Sequence, residues 1–270
     1  MLSLWLVLCL FSQAEGSSKP EVETLPQALI EQRLAAFSTS DAKRHAGLKK
    51  LFEQAGCSGQ HLTDRAVKGE RIPNLECTLP GTTDSVIIVG AHFDFRGDGK
   101  GVADNWSGAA LLPSLFQSLA ALPRRHTFKF VGFTEEEEGL IGSKFYAEKL
   151  TREQISKTRA MVNLDTLGLA TTRVWRSRAD SKLSHLLDLV AQTLNLPVDV
   201  LNMDELGSTT DSEPFRQRRI PSITIHSLTP ETRPILHNAR DNWNAMRIDE
   251  YYETYRLVNH YLALLDTQLD

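Results

Sequence analysis

Apolar and polar residues alternate along this chain in blocks that suit short buried strands and amphipathic helices. Four runs rich in valine, isoleucine and phenylalanine have the length of strands and are bounded by polar or turn-forming residues. The predicted strands are Ser85 to Gly90, Phe128 to Phe133, Ala160 to Leu164 and Ile220 to Ile225.

Apolar residues at helical spacing predict helices around these strands. One helix begins after the capping sequence at Ser40 and ends before Gly56. A second is predicted from Gly108 to Leu122, where Pro113 is expected to bend it unless the proline lies in the first turn. The remaining predicted helices are Phe145 to Leu150, Leu183 to Leu194 and Arg247 to Leu265.

Strands that alternate with helices predict an α/β sandwich with a largely parallel sheet. Ligands of such sheets gather beyond the carboxyl ends of the strands. Three of the predicted strands are followed there by His92, by the run Glu135 to Glu138, and by Asp165. We therefore expect a functional site at this edge of the sheet.

Composition narrows the choice of partner. The chain has 270 residues, 41% of them hydrophobic, and a net charge of -4 with scattered basic residues. A nucleic-acid-binding protein usually carries a basic face, so we expect no nucleic acid partner. No linker rich in proline, glycine or serine splits the chain, which favours one domain over residues 15–270.

The amino-terminal segment predicts export. Leu2 to Phe11 is almost unbroken apolar sequence, too short to span a bilayer, and small residues precede Glu15. Residues 1–14 are therefore interpreted as a signal peptide, the alternative being a buried strand or helix. The prediction is a secreted or periplasmic protein with no membrane span after signal removal.

Two cysteines, Cys57 and Cys77, remain after that cleavage. In an exported chain they predict one disulfide, whereas two buried free thiols are the alternative.

Histidine and carboxylate residues near the strand ends are the candidates for metal binding and catalysis. A single His, an acidic run or a lone Asp has an ordinary structural explanation such as a solvated loop or a turn. Several carboxylates converging at one sheet edge would repel one another unless cations neutralise them. Mixed imidazole and carboxylate ligands suit zinc, and two metals about 3.5–4 Å apart need a bridging carboxylate.

Five motifs occur in an order that resembles the co-catalytic di-zinc aminopeptidases, a family that includes glutaminyl cyclases. They are H-F-D at 92–94, A-D-N-W-S-G at 103–108, E-E-E-G-L-I-G-S at 136–143, N-L-D at 163–165 and H-N-A-R-D-N at 237–242. The resemblance covers about Val86 to Asn242 and implies a three-layer sandwich with a central mixed, mostly parallel sheet.

The resemblance also implies roles for individual residues. The acidic run is registered by counting back from Gly139, which makes Glu136 the general base and leaves Glu135 and Glu138 without a role. Asp94 is expected to orient the first histidine ligand, and Asp104 to bridge the metals. The implied ligands of two zinc ions are His92, Asp104, Glu137, Asp165 and His237. His226 competes with His237 and is otherwise expected to be a substrate contact or a support for the ligands.

The resemblance implies a zinc aminopeptidase that acts on peptides, and the amino-terminal segment predicts that it is secreted. We expect it to be a monomer. The alternatives are a glutaminyl cyclase with a single zinc and a metal-free protein that has kept the fold. We expect the substrate pocket to draw on 204–215 and 227–236. Met203, Leu206 and Phe215 are either an apolar pocket surface or plain core packing.

Overall fold

A single eight-stranded mixed sheet organises the described part of the chain, with the strand order β1-β2-β4-β3-β5-β8-β6-β7. The computed structural model describes residues 22–202, 204 and 208–270. The proposed signal peptide, Met203 and Leu206 lie outside these residues. The strands are β1 (Leu62–Arg65), β2 (Asn74–Leu79), β3 (Val86–His92), β4 (Thr127–Phe133), β5 (Thr158–Leu164), β6 (Arg173–Val174), β7 (Asp199–Val200) and β8 (Ser222–His226).

The centre of the sheet is parallel and its flanks are mixed. Strands β4, β3, β5 and β8 run parallel, so that their carboxyl ends meet along one edge. Antiparallel pairing joins β1 to β2, β2 to β4 and β6 to β8. The α/β fold with a central mixed sheet is therefore confirmed, and the four predicted strands are its parallel centre.

The helices supply the outer layers. They are α1 (Gln27–Leu34), α2 (Asp41–Gln54), α3 (Ser107–Ala120), α4 (Ile141–Lys149), α5 (Arg152–Lys157), α6 (Ser181–Leu194), α7 (Glu213–Gln217) and α8 (Ile248–Gln268). Pro113 is the seventh residue of α3, beyond the first turn, and α3 continues through it. Among the described residues no helix has both the length and the apolar character needed to cross a bilayer.

Apolar side chains fill both faces of the sheet. One cluster includes Phe52, Trp106, Phe130 and Tyr255 and joins the sheet to α1, α2, α3, α6 and α8. A smaller cluster packs Phe133, Tyr146 and Phe215 together on the other face. Burial of this surface is the main source of stability and fixes the sheet edge that carries the polar residues.

A disulfide joins Cys57, just after α2, to Cys77 in β2. The predicted pairing is thus present, and it ties an outer helix to an antiparallel strand of the sheet.

Candidate active site

The polar residues singled out in the sequence meet at the carboxyl edge of the parallel strands. His92 is the last residue of β3, Asp165 directly follows β5, and the acidic run follows β4. A cavity of about 290 Å³ opens at this edge. Its lining includes all five expected metal ligands and the expected base, namely His92, Asp104, Glu136, Glu137, Asp165 and His237.

Two groups of possible ligand atoms share one carboxylate. His92, Asp104 and Asp165 form the first group, and Asp104, Glu137 and His237 form the second, with the atoms of each group within 4.8 Å of one another. Asp104 lies between the histidines, because its Oδ1 is 3.3 Å from His92 Nε2 and its Oδ2 is 3.2 Å from His237 Nε2. This arrangement matches a pair of metals bridged by a carboxylate.

The four glutamates of the acidic run, Glu135 to Glu138, lie in different places relative to the cavity. Glu137 Oε2 lies 3.0 Å from His237 Nε2, within the second group. Glu136 points into the same cavity, with Oε2 at 3.9 Å from His92 Nε2, but belongs to neither group. Glu135 and Glu138 are not among the described residues that line the cavity. The geometry thus gives Glu136 and Glu137 different surroundings.

Asp94 connects the first histidine to the acidic run. Its Oδ1 lies 3.5 Å from His92 Nδ1, and its Oδ2 accepts the backbone N–H of Glu137 at 3.1 Å. Asp94 is 2% exposed, so it acts from behind the cavity wall. Asp94 therefore fixes the backbone of one expected ligand and lies beside the imidazole of another.

The backbone around Asp104 is held by two side chains to which the sequence analysis gave no role. Asp241 accepts the backbone N–H groups of Ala103 and Asp104 at 2.8 and 3.1 Å. Asn105 donates to the carbonyl of Leu164 at 2.9 Å and so joins this segment to the end of β5. Asp241 could have been singled out in the sequence because it is the aspartate of the H-N-A-R-D-N motif.

Arg44 is a third missed residue, and it binds the loops beneath the site. Its side chain is completely buried and donates to the carbonyls of Phe93 at 2.9 Å and Lys100 at 2.6 Å. The guanidinium also packs over the ring of Phe95. A charged residue in the first turn of an amphipathic helix has no sequence signal that distinguishes it from a solvent-facing arginine.

Burial and mutual interactions shift the pKa values of the carboxylates and histidines that line the cavity. Burial, reinforced by Asp211, Asp165 and Asp104, raises the pKa of Glu136 to about 10 although His92 opposes this. Hydrogen bonds to Asp104 and Glu137 raise the pKa of His237 to about 10. Burial would raise the pKa of Asp104, but hydrogen bonds from His237 and His92 lower it. Four carboxylates line the cavity, and in their ionised forms they would repel one another unless cations neutralise them.

The donor types fit zinc. Each group combines one imidazole nitrogen with carboxylate oxygens, the ligand set that zinc takes in catalytic sites. Buried Glu137 Oε1 has no hydrogen-bond partner within the described residues, so it is free to bind a cation. The described residues therefore fit a pair of zinc ions.

His226 and Phe215 occupy other positions than the ligands. His226 ends β8 and borders the cavity, but neither ligand group contains it, and burial lowers its pKa to about 4. Phe215 is completely buried in the smaller core cluster, so the interpretation of it as pocket surface is wrong and the core interpretation is right. The predicted loops do contribute other residues to the cavity, namely Ser208, Thr209, Thr210, Leu228 and Leu236.

Comparison with known proteins identifies the family of this chain. Residues 74–262 match the model of Peptidase family M28. Aminopeptidase YwaD of Bacillus subtilis is 25% identical over 167 residues, which cover 58% of this chain and 36% of that protein. The chain thus spans about a third of the length of this curated relative.

Two solved structures share the fold at low identity. The LapA aminopeptidase of Legionella pneumophila superposes with a TM-score of 0.78 at 20% identity, covering 91% of this chain and 73% of that one. A glutaminyl cyclase from an Acidobacteriales bacterium gives 0.73 at 18% identity, covering 96% of this chain and 100% of that one. The family match extends over more than half of the sequence, so the chain belongs to Peptidase family M28, a family of metallopeptidases.

Proposed function

We propose that this chain is a zinc-dependent aminopeptidase that removes the first residue from peptides. The observation that carries the proposal is the pair of ligand groups joined at Asp104, with Glu136 in the same cavity and outside both groups. We assign His92, Asp104 and Asp165 to one ion, and Asp104, Glu137 and His237 to the other. Two zinc ions held there supply an acidified water and a Lewis acid for the substrate carbonyl.

The chain's own residues perform the proton transfers in this proposal. Glu136 takes a proton from the attacking water on its carboxylate and delivers it to the nitrogen of the leaving group. Nearby positive charge lowers the pKa of a carboxyl group, so cations in the two ligand groups favour the ionised form that a base requires. Asp94 holds the backbone of Glu137 and lies beside His92, and it is not among the described residues that line the cavity.

The exopeptidase assignment rests on the size of the cavity. Its volume of about 290 Å³ suits a terminal residue better than a long extended peptide.

A panel of aminoacyl arylamides and their N-acetylated copies tests the proposal. The zinc-loaded protein is expected to cleave only substrates with a free amine. Equal cleavage of the blocked copies would reject the exopeptidase assignment.

Glutaminyl cyclisation is the second candidate, because the Acidobacteriales cyclase superposes over its whole length. That reaction is an acyl transfer without water, so a Gln-initiated peptide would lose ammonia and keep all its residues. The two complete ligand groups favour hydrolysis over a cyclase that works with a single zinc. Pyroglutamate formation without release of the first residue, detected by mass spectrometry, would assign the chain to the cyclases.

Export to an oxidising compartment is part of the proposal. It is supported by the Cys57–Cys77 disulfide, since such bonds persist mainly outside the cytosol. Amino-terminal sequencing of the protein recovered from the medium or periplasm is expected to begin at Glu15. A start at Met1 in the cell interior would refute the signal peptide.

A further inference from the structure

The part of the cavity wall that does not hold the expected ligands is mainly polar. Among the described residues it includes Thr166, Ser208, Thr210 and His226, with Leu228 and Leu236 as apolar members. If the scissile carbonyl lies beside Glu136, then the side chain of the first substrate residue must contact this remaining wall. The composition of the wall therefore bears on which first residue the proposed peptidase accepts.

His226 occupies a defined place in this wall. It is the last residue of β8, and the preceding carbonyl, that of Ile225, accepts the backbone N–H of Asp165 at 3.0 Å. The imidazole of His226 is thus held next to the strand end that carries one of the expected ligands. Its side chain is 0% exposed although it borders the cavity, so a hydrogen bond made there would be shielded from water.

Hydrogen bonding fixes the tautomer of His226. Its Nδ1 lies 3.1 Å from the backbone nitrogen of Leu228, and a backbone N–H can only donate. Nδ1 must therefore be the unprotonated nitrogen, so the neutral ring carries its hydrogen on Nε2. That Nε2 makes no hydrogen bond of good geometry within the described residues, although the backbone of Leu201 lies close to the ring. Its hydrogen is therefore a buried donor beside the cavity that a better-placed acceptor can take.

We infer that the site selects substrates whose first residue has an uncharged side chain with a hydrogen-bond acceptor, such as asparagine, and that the Nε2–H of His226 donates to that acceptor. The inference rests on the proposed aminopeptidase function. A large aliphatic side chain of similar shape offers no acceptor to the Nε2–H. A site built around such a donor discriminates against a ligand that lacks the acceptor.

Acidic first residues are disfavoured because the described part of the wall around His226 offers a carboxylate no free cation. Arg96, which also lines the cavity, donates to the backbone carbonyl of Glu137 at 3.3 Å, on the His237 side. The part of the wall that contains His226 has no arginine or lysine among its described lining residues. Arg173, which is paired with His226 across β6 and β8, is bound to Asp199 at 3.1 Å.

The test compares asparaginyl and leucyl p-nitroanilides, whose first residues are nearly the same shape and differ in hydrogen bonding. For the zinc-loaded wild-type protein we expect kcat/KM to be at least about tenfold higher for the asparaginyl substrate. In His226→Phe the ratio should fall towards one. In the control His260→Phe, which changes a histidine of α8 outside the cavity lining, the ratio should stay unchanged.

A second readout does not depend on turnover or on a variant that folds. In protein labelled with ¹⁵N-histidine, long-range proton–nitrogen spectra should assign the hydrogen of His226 to Nε2. Adding L-asparagine should shift that Nε2 resonance, whereas adding L-leucine should leave it in place. The backbone of Leu201 lies close to this ring and is the competing acceptor. A resonance that responds equally to both amino acids would mean that Leu201 or another internal group holds the hydrogen.

The outcomes separate this inference from the function on which it rests. Equal or faster cleavage of the leucyl substrate, or an unchanged ratio in a folded His226→Phe variant, overturns the inference and leaves the aminopeptidase assignment intact. Failure to cleave every substrate with a free amine overturns both. Asparagine is used in place of glutamine so that cyclisation does not enter the comparison.

Discussion

Asp241 holds the backbone of Asp104, with its Oδ2 accepting the Asp104 N–H at 3.1 Å. The residues are 137 positions apart, and each is less than a tenth exposed. Asp104 is the carboxylate shared by both ligand groups, so a residue that sets its backbone position affects both groups.

Replacing Asp241 should therefore weaken zinc binding without removing a ligand. We expect Asp241→Asn to lower zinc affinity by about 10- to 100-fold, as for other residues that support metal ligands. Competition with a coloured chelator measures this. Asp249→Asn, which changes an exposed carboxylate of α8, is the control and should bind zinc as the wild type does. Unchanged affinity in the Asp241 variant would mean that other contacts suffice to hold the loop.

The four glutamates from 135 to 138 should differ sharply in their effects. Glu136→Gln is expected to lower kcat by about 10²- to 10⁴-fold with zinc content unchanged, because only the base is lost. Glu137→Gln should instead lose zinc. Glu135→Gln and Glu138→Gln serve as matched controls and should keep both activity and metal. Kinetics and metal analysis of all four variants test which glutamate has which role. Loss of activity or zinc in the Glu135 or Glu138 variant would show that counting back from Gly139 is wrong.

Much of the site could be predicted from the sequence because its residues sit beside strongly patterned elements. The four predicted strands are rich in valine, isoleucine and phenylalanine, and they are the parallel centre of the sheet. Their carboxyl ends share one edge, so His92 and Asp165 come together once strand order is known. Asp104 and His237 were predicted from the order of the motifs. The periodicity of apolar residues does not show that these two residues are close in space.

The missed elements and residues have weaker local signals. Strands β6 and β7 have two residues each, too few to show a pattern. Strand β2 contains Glu76, a buried carboxylate that interrupts its apolar sequence. Arg44 acts through backbone carbonyls of segments about 50 residues away. Such contacts depend on tertiary structure and leave no mark on the sequence around the arginine.

The buried carboxylate of Glu76 should make stability depend on pH. Its oxygens lie 2.6 Å from Arg65, 3.4 Å from Lys129 and 2.7 Å from the hydroxyl of Tyr146. Burial would raise the pKa of Glu76, but Lys129, Tyr146 and Arg65 together lower it below its ordinary value of 4.5. A lowered pKa in the folded state stabilises the protein above pH 4.5, and this stabilisation is lost as the pH falls through the folded-state pKa.

Glu76→Gln should therefore cost stability mainly near neutral pH. Loss of its charged hydrogen bonds is expected to reduce the free energy of unfolding by about 1.5–3 kcal/mol at pH 7. The difference from wild type should shrink as urea titrations are repeated down to about pH 3. Asp64→Asn, on the neighbouring strand and more exposed, is the control and should change stability by less than about 1 kcal/mol. A difference for Glu76→Gln that is constant across this pH range would refute the account.

The disulfide should contribute to stability through the chain entropy of the unfolded state. Titration of the denatured, unreduced protein from which residues 1–14 have been removed should find no free thiol. The bond closes a loop with a sequence separation of 20 residues, for which loop-closure entropy gives about 3 kcal/mol. Denaturant unfolding of the Cys57→Ser, Cys77→Ser double variant measures this contribution. Two titratable thiols in the denatured, unreduced protein would contradict the bond.

We propose that hydrolysis depends on two zinc ions held by the groups that share Asp104. The hydrolysis rate of a free-amine aminoacyl arylamide after chelation, followed through stepwise addition of zinc, tests this dependence. We expect no activity in the metal-free protein and a rise that saturates at about two zinc ions per chain. Full activity in the metal-free protein would contradict the proposed chemistry, and saturation at one ion per chain would contradict the two-metal site.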